Sequence, residues 1–190
     1  MTTSRTLAEL LKRAHDDDAT ADDAATAVAL LPTLRNPISR YQALFVIGEA
    51  GDTRHEGLVA SYLDSPDDPM LARLAIQILS HWWGLGADYA PRIREFVVGV
   101  PWDLESGGYA RQTAISSAGT ILRDHADPRL LAALLAVFDG DESDDMRRQA
   151  YSSLLRAAGK EWSAIPGTAS DAWRTDPDEA VLDALRRQAI

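Results

Sequence analysis

Few residues in this chain have the types and spacing that chemistry needs. The four histidines, His15, His55, His81 and His125, are scattered, with no pair four apart on a helix and no cysteine to join them. A zinc site needs such pairs, so no metal is expected. The acidic runs Asp16–Asp18 and Asp139–Asp145 lack the spacing, the glycine and the terminal glutamate of a calcium loop, and read as solvated turns. Ser116-Ser117 and Ser152-Ser153 sit inside apolar helical stretches, and no Gly-x-Ser-x-Gly surrounds them. Gly84-x-Gly86 lacks the third glycine and the lysine of a phosphate loop. No catalytic residue and no cofactor are expected.

The aromatic residues carry more. Trp82, Trp83 and Trp102 fall within 21 residues of one another, beside Asp103 and Glu105. Tryptophan is favoured as an interface anchor, and nearby acids would steer a basic partner. These five residues are therefore the expected partner-binding set. Adjacent Trp82 and Trp83 project about 100° apart on an α-helix, so they are not expected to share one core direction.

Charge narrows the partner. Of the 19 basic residues only Lys12 and Lys160 are lysines, against 29 acidic ones, leaving a net charge of -10. Such a field repels nucleic-acid backbones and anionic membranes and attracts a protein with a basic surface. The abundance of Arg, Ala and Asp, with Asn36 the only asparagine, fits a GC-rich bacterial genome. The absence of cysteine and of an early apolar run of signal length makes the cytoplasm the expected compartment.

The elements that hold these residues obey the helical period. Helices are expected over about 5–15 (capped by Thr3 or Ser4), 20–34 (capped by Thr20), 37–48, 54–63, 70–83, 89–98, 109–123, 128–138, 144–158 and 177–188. For the last, Asp176 is the expected cap and Pro177 the first helical residue. Gly99–Gly108 reads as a long linker, and the C-terminal loop with Trp162 and Trp173 as a segment folding back to cap the final repeat.

A repeat organises the middle of the chain. Ala43, Ala75, Ala114 and Ala150 recur at spacings of 32, 39 and 36 residues, and three residues before them stand Arg40, Ala72, Arg111 and Arg147. The turn Gly51-Asp52-Thr53-Arg54 corresponds to Ala126-Asp127-Pro128-Arg129, each leading into a leucine-rich helix and an acidic linker. Over residues 37–160 this pattern resembles the HEAT-like repeat family. The resemblance implies an all-α solenoid of about five antiparallel helix pairs, with 1–36 and 161–190 as capping segments of a single domain. It also implies that Arg40, Asp52, Arg111, Asp127 and Arg147 form a structural ladder, or alternatively that the arginines form an anion-binding row.

The family mostly binds macromolecules. The expected function is a non-catalytic protein-binding module, concretely an acidic bacterial immunity protein neutralising a basic toxin. Other HEAT-like functions are a DNA glycosylase for alkylated purines, which the acidic charge disfavours, a phycobilin lyase, and a scaffold subunit.

Overall fold

The computed structural model describes residues 3–167 and 170–189, and helix is the only regular structure among them. Twelve α-helices lie among the described residues: α1 Thr3–His15, α2 Ala21–Leu30, α3 Pro37–Glu49, α4 Glu56–Ser61, α5 Pro69–Gln77, α6 Ala90–Val98, α7 Pro101–Glu105, α8 Tyr109–Asp124, α9 Pro128–Asp139, α10 Asp144–Ala157, α11 Ala172–Thr175 and α12 Glu179–Gln188. None is long and apolar enough to cross a membrane. The chain divides into two compact units, Met1–Gly84 and Leu85–Ile190.

In the first unit α3 packs between α1 and α5, with α2 against α1 and α3. Thr20 and Asp23 form a capping box at the start of α2, and Arg13 of α1 hydrogen-bonds the same buried Asp23 carboxylate. The side chains of Thr3 and Ser4, expected to cap α1, lie outside the described residues. Pro69–Gln77 continues into a π-helical turn over Ile78–Trp82, closed by the Trp83 amide donating to the Ile78 carbonyl at 2.9 Å.

In the second unit α8 packs along α10, while α6, α9 and α12 pack in sequence on the other side. Ala43, Ala75, Ala114 and Ala150 are all fully buried in the middle of their helices. Small residues there permit close helix approach. At Gly119 of α8 a Cβ would stand 2.6 Å from the Ser153 carbonyl oxygen of α10.

Three local expectations are corrected. The Gly99–Gly108 linker contains α7, because Pro101 starts a turn that Asp103 ties to α8. A short helix, α11, places Trp173 in the core. The last helix begins two residues later than Pro177, because the Asp178 carboxylate, not Asp176, accepts from the Val181 amide.

Candidate functional site

The arginines and aspartates of the repeat have definite partners. Arg111 is only 7% exposed. Its Nε donates to the Val97 carbonyl at 3.0 Å, and its two Nη atoms bind both oxygens of Glu142 at 3.0 and 2.6 Å. Arg147 repeats half of this arrangement. Its Nε donates to the Phe138 carbonyl at 2.9 Å, and its guanidinium lies over the rings of Phe138 and Trp173. Both thus satisfy a carbonyl in the last turn of an earlier helix, α6 for Arg111 and α9 for Arg147, which would otherwise lack a partner. Burial raises the Tyr62 pKa, against the opposing pull of the Arg40 charge. Asp52 accepts from the Arg54 amide and side chain, and Asp127 accepts from the amides of Arg129 and Leu130 to cap α9. The acids therefore start the second helices, and the carboxylate that pairs with buried Arg111 is a half-buried linker acid, Glu142.

The expected partner-binding residues are placed differently from one another. In the first unit, Trp82 packs on Gly48 and meets Phe45 edge-on at 5.6 Å. Trp83 donates its indole N–H to the Gly48 carbonyl at 3.0 Å. The π turn widens the helix by one residue, so both indoles address Gly48 despite being adjacent. In the second unit, Trp102 is half-buried, edge-on to Phe96 at 5.6 Å, and Glu105 is exposed. Asp103 corrects the expectation of a rim acid. It is 0% exposed, and its carboxylate accepts from the amides of Ala110 and Arg111 at 3.0 and 2.8 Å. These are the first free N–H groups of α8, where the helix dipole also favours a negative charge.

A cleft of about 630 Å³ opens elsewhere in the second unit, between α8, α10 and the loop after α10. Gln112 and Ser116 of α8 form one wall, Gln149, Ser152 and Arg156 of α10 the floor, and Trp162 with Ile165 the other side. The two helices are stitched there by side chains: Gln149 Nε2 donates to the Gln112 carbonyl at 2.6 Å, and Arg156 Nη1 to the Ser116 carbonyl at 3.1 Å. Trp162 is 75% exposed, the most exposed tryptophan described. Its ring carries the Arg156 guanidinium at 5.2 Å, a cation–π arrangement. Burial and then the charge of Arg123 lower the pKa of Arg156. At the mouth, Arg148 pairs with Asp145.

Sequence reasoning missed this cleft. The available signal was a polar stripe: Gln112 and Ser116 are four apart on α8, and Gln149, Ser152 and Arg156 lie at three- and four-residue steps on α10. The cleft's chemistry is recognition. It holds hydrogen-bonding amides and hydroxyls, the Arg156 guanidinium, the paired Arg148 and Asp145, and one exposed indole. Among the described residues no group of three or more His, Asp or Glu is placed to hold a metal ion.

No known protein family, curated protein or solved structure matches the chain.

Proposed function

We propose that this chain is a HEAT-like helical-repeat module that binds another protein through the cleft between α8, α10 and Trp162. The carrying observation is Trp162, held by Arg156 and left 75% exposed at the edge of a polar cleft. Exposed tryptophan beside arginine is the composition of an interface anchor, and Trp and Arg dominate binding energy where they become desolvated. The repeat reading draws support from the packing. The helices that carry the repeated alanines lie side by side within each unit, α3 with α5 and α8 with α10, and α6 packs on α9 as a second layer. Stacked pairs of this kind are what a solenoid repeat is built from, and we infer about five of them along the chain.

The partner is a protein with a basic surface. Seven basic and twelve acidic residues lie in Met1–Gly84, and twelve and seventeen in Leu85–Ile190, so each unit carries -5. Neutralising a basic toxin is the concrete case this charge suits, since steering speeds capture. The same charge sets the reading apart from a DNA glycosylase, which must grip phosphates.

The test is site-specific photocrosslinking in cells of the source organism. A benzophenone side chain at Gln112, on the cleft wall, should give one discrete protein adduct. The same group at Ala136, exposed on α9, should give none. Equal adducts from both positions, or a nucleic-acid adduct from Gln112, would overturn the proposal.

A further inference from the structure

About half of the arginines in this acidic chain meet a carboxylate among the described residues. Arg13 meets Asp23, Arg54 meets Asp52, Arg111 meets Glu142, Arg123 meets Asp124, and Arg186 meets Asp139, Glu179 and Asp183. Arg147 instead spends its guanidinium on a carbonyl and on the buried Trp173 ring. Arg156 likewise meets a carbonyl and a ring, but its ring, Trp162, is exposed and the guanidinium lines an open cleft. It is half-buried, and among the described residues no carboxylate lies within ion-pair distance of it. Its single hydrogen bond, Nη1 to the Ser116 carbonyl, leaves most of its five N–H donors unbonded. The charged group nearest in effect is another cation, Arg123. A partly desolvated guanidinium in this position lacks its counter-charge, and the surface it faces is the open cleft.

We propose that this cleft recognises a single carboxylate carried by the partner chain, taken by the Arg156 fork, with the residue beside it laid on the Trp162 ring. The inference rests on the protein-binding reading above and adds what is read. A guanidinium presents paired donors that match the two oxygens of a carboxylate. Gln112, whose side-chain amide makes no bond within the described residues, and Gln149 offer donors and acceptors that complement a peptide group. A monoanion fits better than a phosphate dianion, because Arg148 is paired with Asp145, which leaves Arg156 as the one cation without a carboxylate among the described residues of the cleft, and the whole chain carries -10. The same field favours a carboxylate set in an otherwise basic segment. Long-range steering then acts on the segment, and Arg156 acts only at contact, within a Debye length of about 8 Å.

The carboxylate can come from a Glu or Asp side chain or from a chain terminus, and the test separates these sources. Pools of twelve-residue synthetic peptides, rich in Lys and otherwise random, carry Glu, Gln or phosphoserine at the centre, each with a free or an amidated end. The full chain is titrated against each pool by fluorescence anisotropy. The expected result is binding at least about tenfold tighter for a carboxylate pool than for the Gln amidated pool, a difference of about one decade in Kd. Preference for the central Glu identifies a side chain, and preference for the free end identifies a terminus. Arg156→Gln should erase the preference, and Arg156→Lys should retain part of it because the charge remains without the fork. Trp162→Ala, at an exposed position, should weaken every pool and keep the Glu-to-Gln ratio. Arg174→Gln, remote in sequence and paired with Asp144, should change nothing. Equal binding of Glu and Gln pools by the native chain overturns the carboxylate reading and leaves the protein-binding reading standing. A phosphoserine pool bound tenfold tighter than Glu overturns it in favour of phosphate. Failure of every pool to bind overturns both.

Discussion

Replacing Asp103 by Ala should destabilise the second unit without touching the cleft. The native carboxylate is fully buried and holds the amides of Ala110 and Arg111 at 3.0 and 2.8 Å. Alanine leaves both donors at the α8 start without a partner. An orphaned buried donor costs about 1–3 kcal/mol. The two together give about 2–6 kcal/mol, and the vacated space admits water that partly replaces the lost acceptor, which brings the expectation to about 2–4 kcal/mol. For a unit of this size each kcal/mol moves Tm by about 4 °C, so a fall of about 8–16 °C is expected. Asp103→Asn should fall between, since Asn keeps one acceptor oxygen and turns an amide donor toward the other N–H. Differential scanning calorimetry measures the shift, and amide hydrogen exchange locates it at the first turn of α8. A Tm change under about 2 °C with unchanged exchange at Ala110 and Arg111 would refute the capping argument. Lost partner binding at unchanged stability would restore Asp103 as a contact residue.

The same geometry sets further outcomes. Arg111→Ala should cost about 3 kcal/mol by urea denaturation, since it strands the Val97 carbonyl and Glu142, whose 31% exposure softens the loss. Arg147→Ala, losing one carbonyl bond and ring contacts but no ion pair, should cost about 1–2 kcal/mol in the same assay. Gly119→Ala places a methyl 2.6 Å from the Ser153 carbonyl oxygen and should lower stability by at least about 1–3 kcal/mol, because neither backbone can yield alone. On the acid side, the Lys160 ammonium and then the Val181 amide hold the Asp178 pKa below its ordinary value. A depressed folded pKa gives stability that is complete above the ordinary carboxylate range, about pH 4, and lost as pH falls through the depressed value. Asp178→Asn should therefore flatten that part of the acid unfolding profile measured by circular dichroism and leave the slope above about pH 6 unchanged.

The helices were legible because their cause is local. The buried alanines recur at repeat spacing, and Asp52 and Asp127 of the two corresponding turns each cap the next helical segment. The Thr20 cap and the positions of α8, α9 and α10 needed only periodicity and turn chemistry. The features that escaped depend on tertiary contact. Helix α7 is five residues long, too short for a period, and exists because Asp103 reaches seven residues forward to α8. The helix end near Gly48–Gly51 was legible, but not that Gly48 is a glycine because the Trp82 ring occupies the space a Cβ would need. The π turn that lets Trp82 and Trp83 both address Gly48 has no signature in residue type. The cleft joins two helices and a loop about forty residues apart in sequence, and the loop leaves Trp162 uncovered where its position in sequence suggested packing.

The most direct test of the central claim is the affinity of the crosslinked partner, once purified, for two single variants measured by isothermal titration calorimetry. Trp162→Ala removes the proposed anchor at an exposed position, and Trp102→Ala removes a half-buried indole elsewhere in the same unit. The cleft account predicts that Trp162→Ala raises Kd by at least about thirtyfold, the loss of a contact worth about 2 kcal/mol, while Trp102→Ala stays within about threefold. Native affinity in Trp162→Ala together with a large loss in Trp102→Ala would contradict it and move the interface to α7.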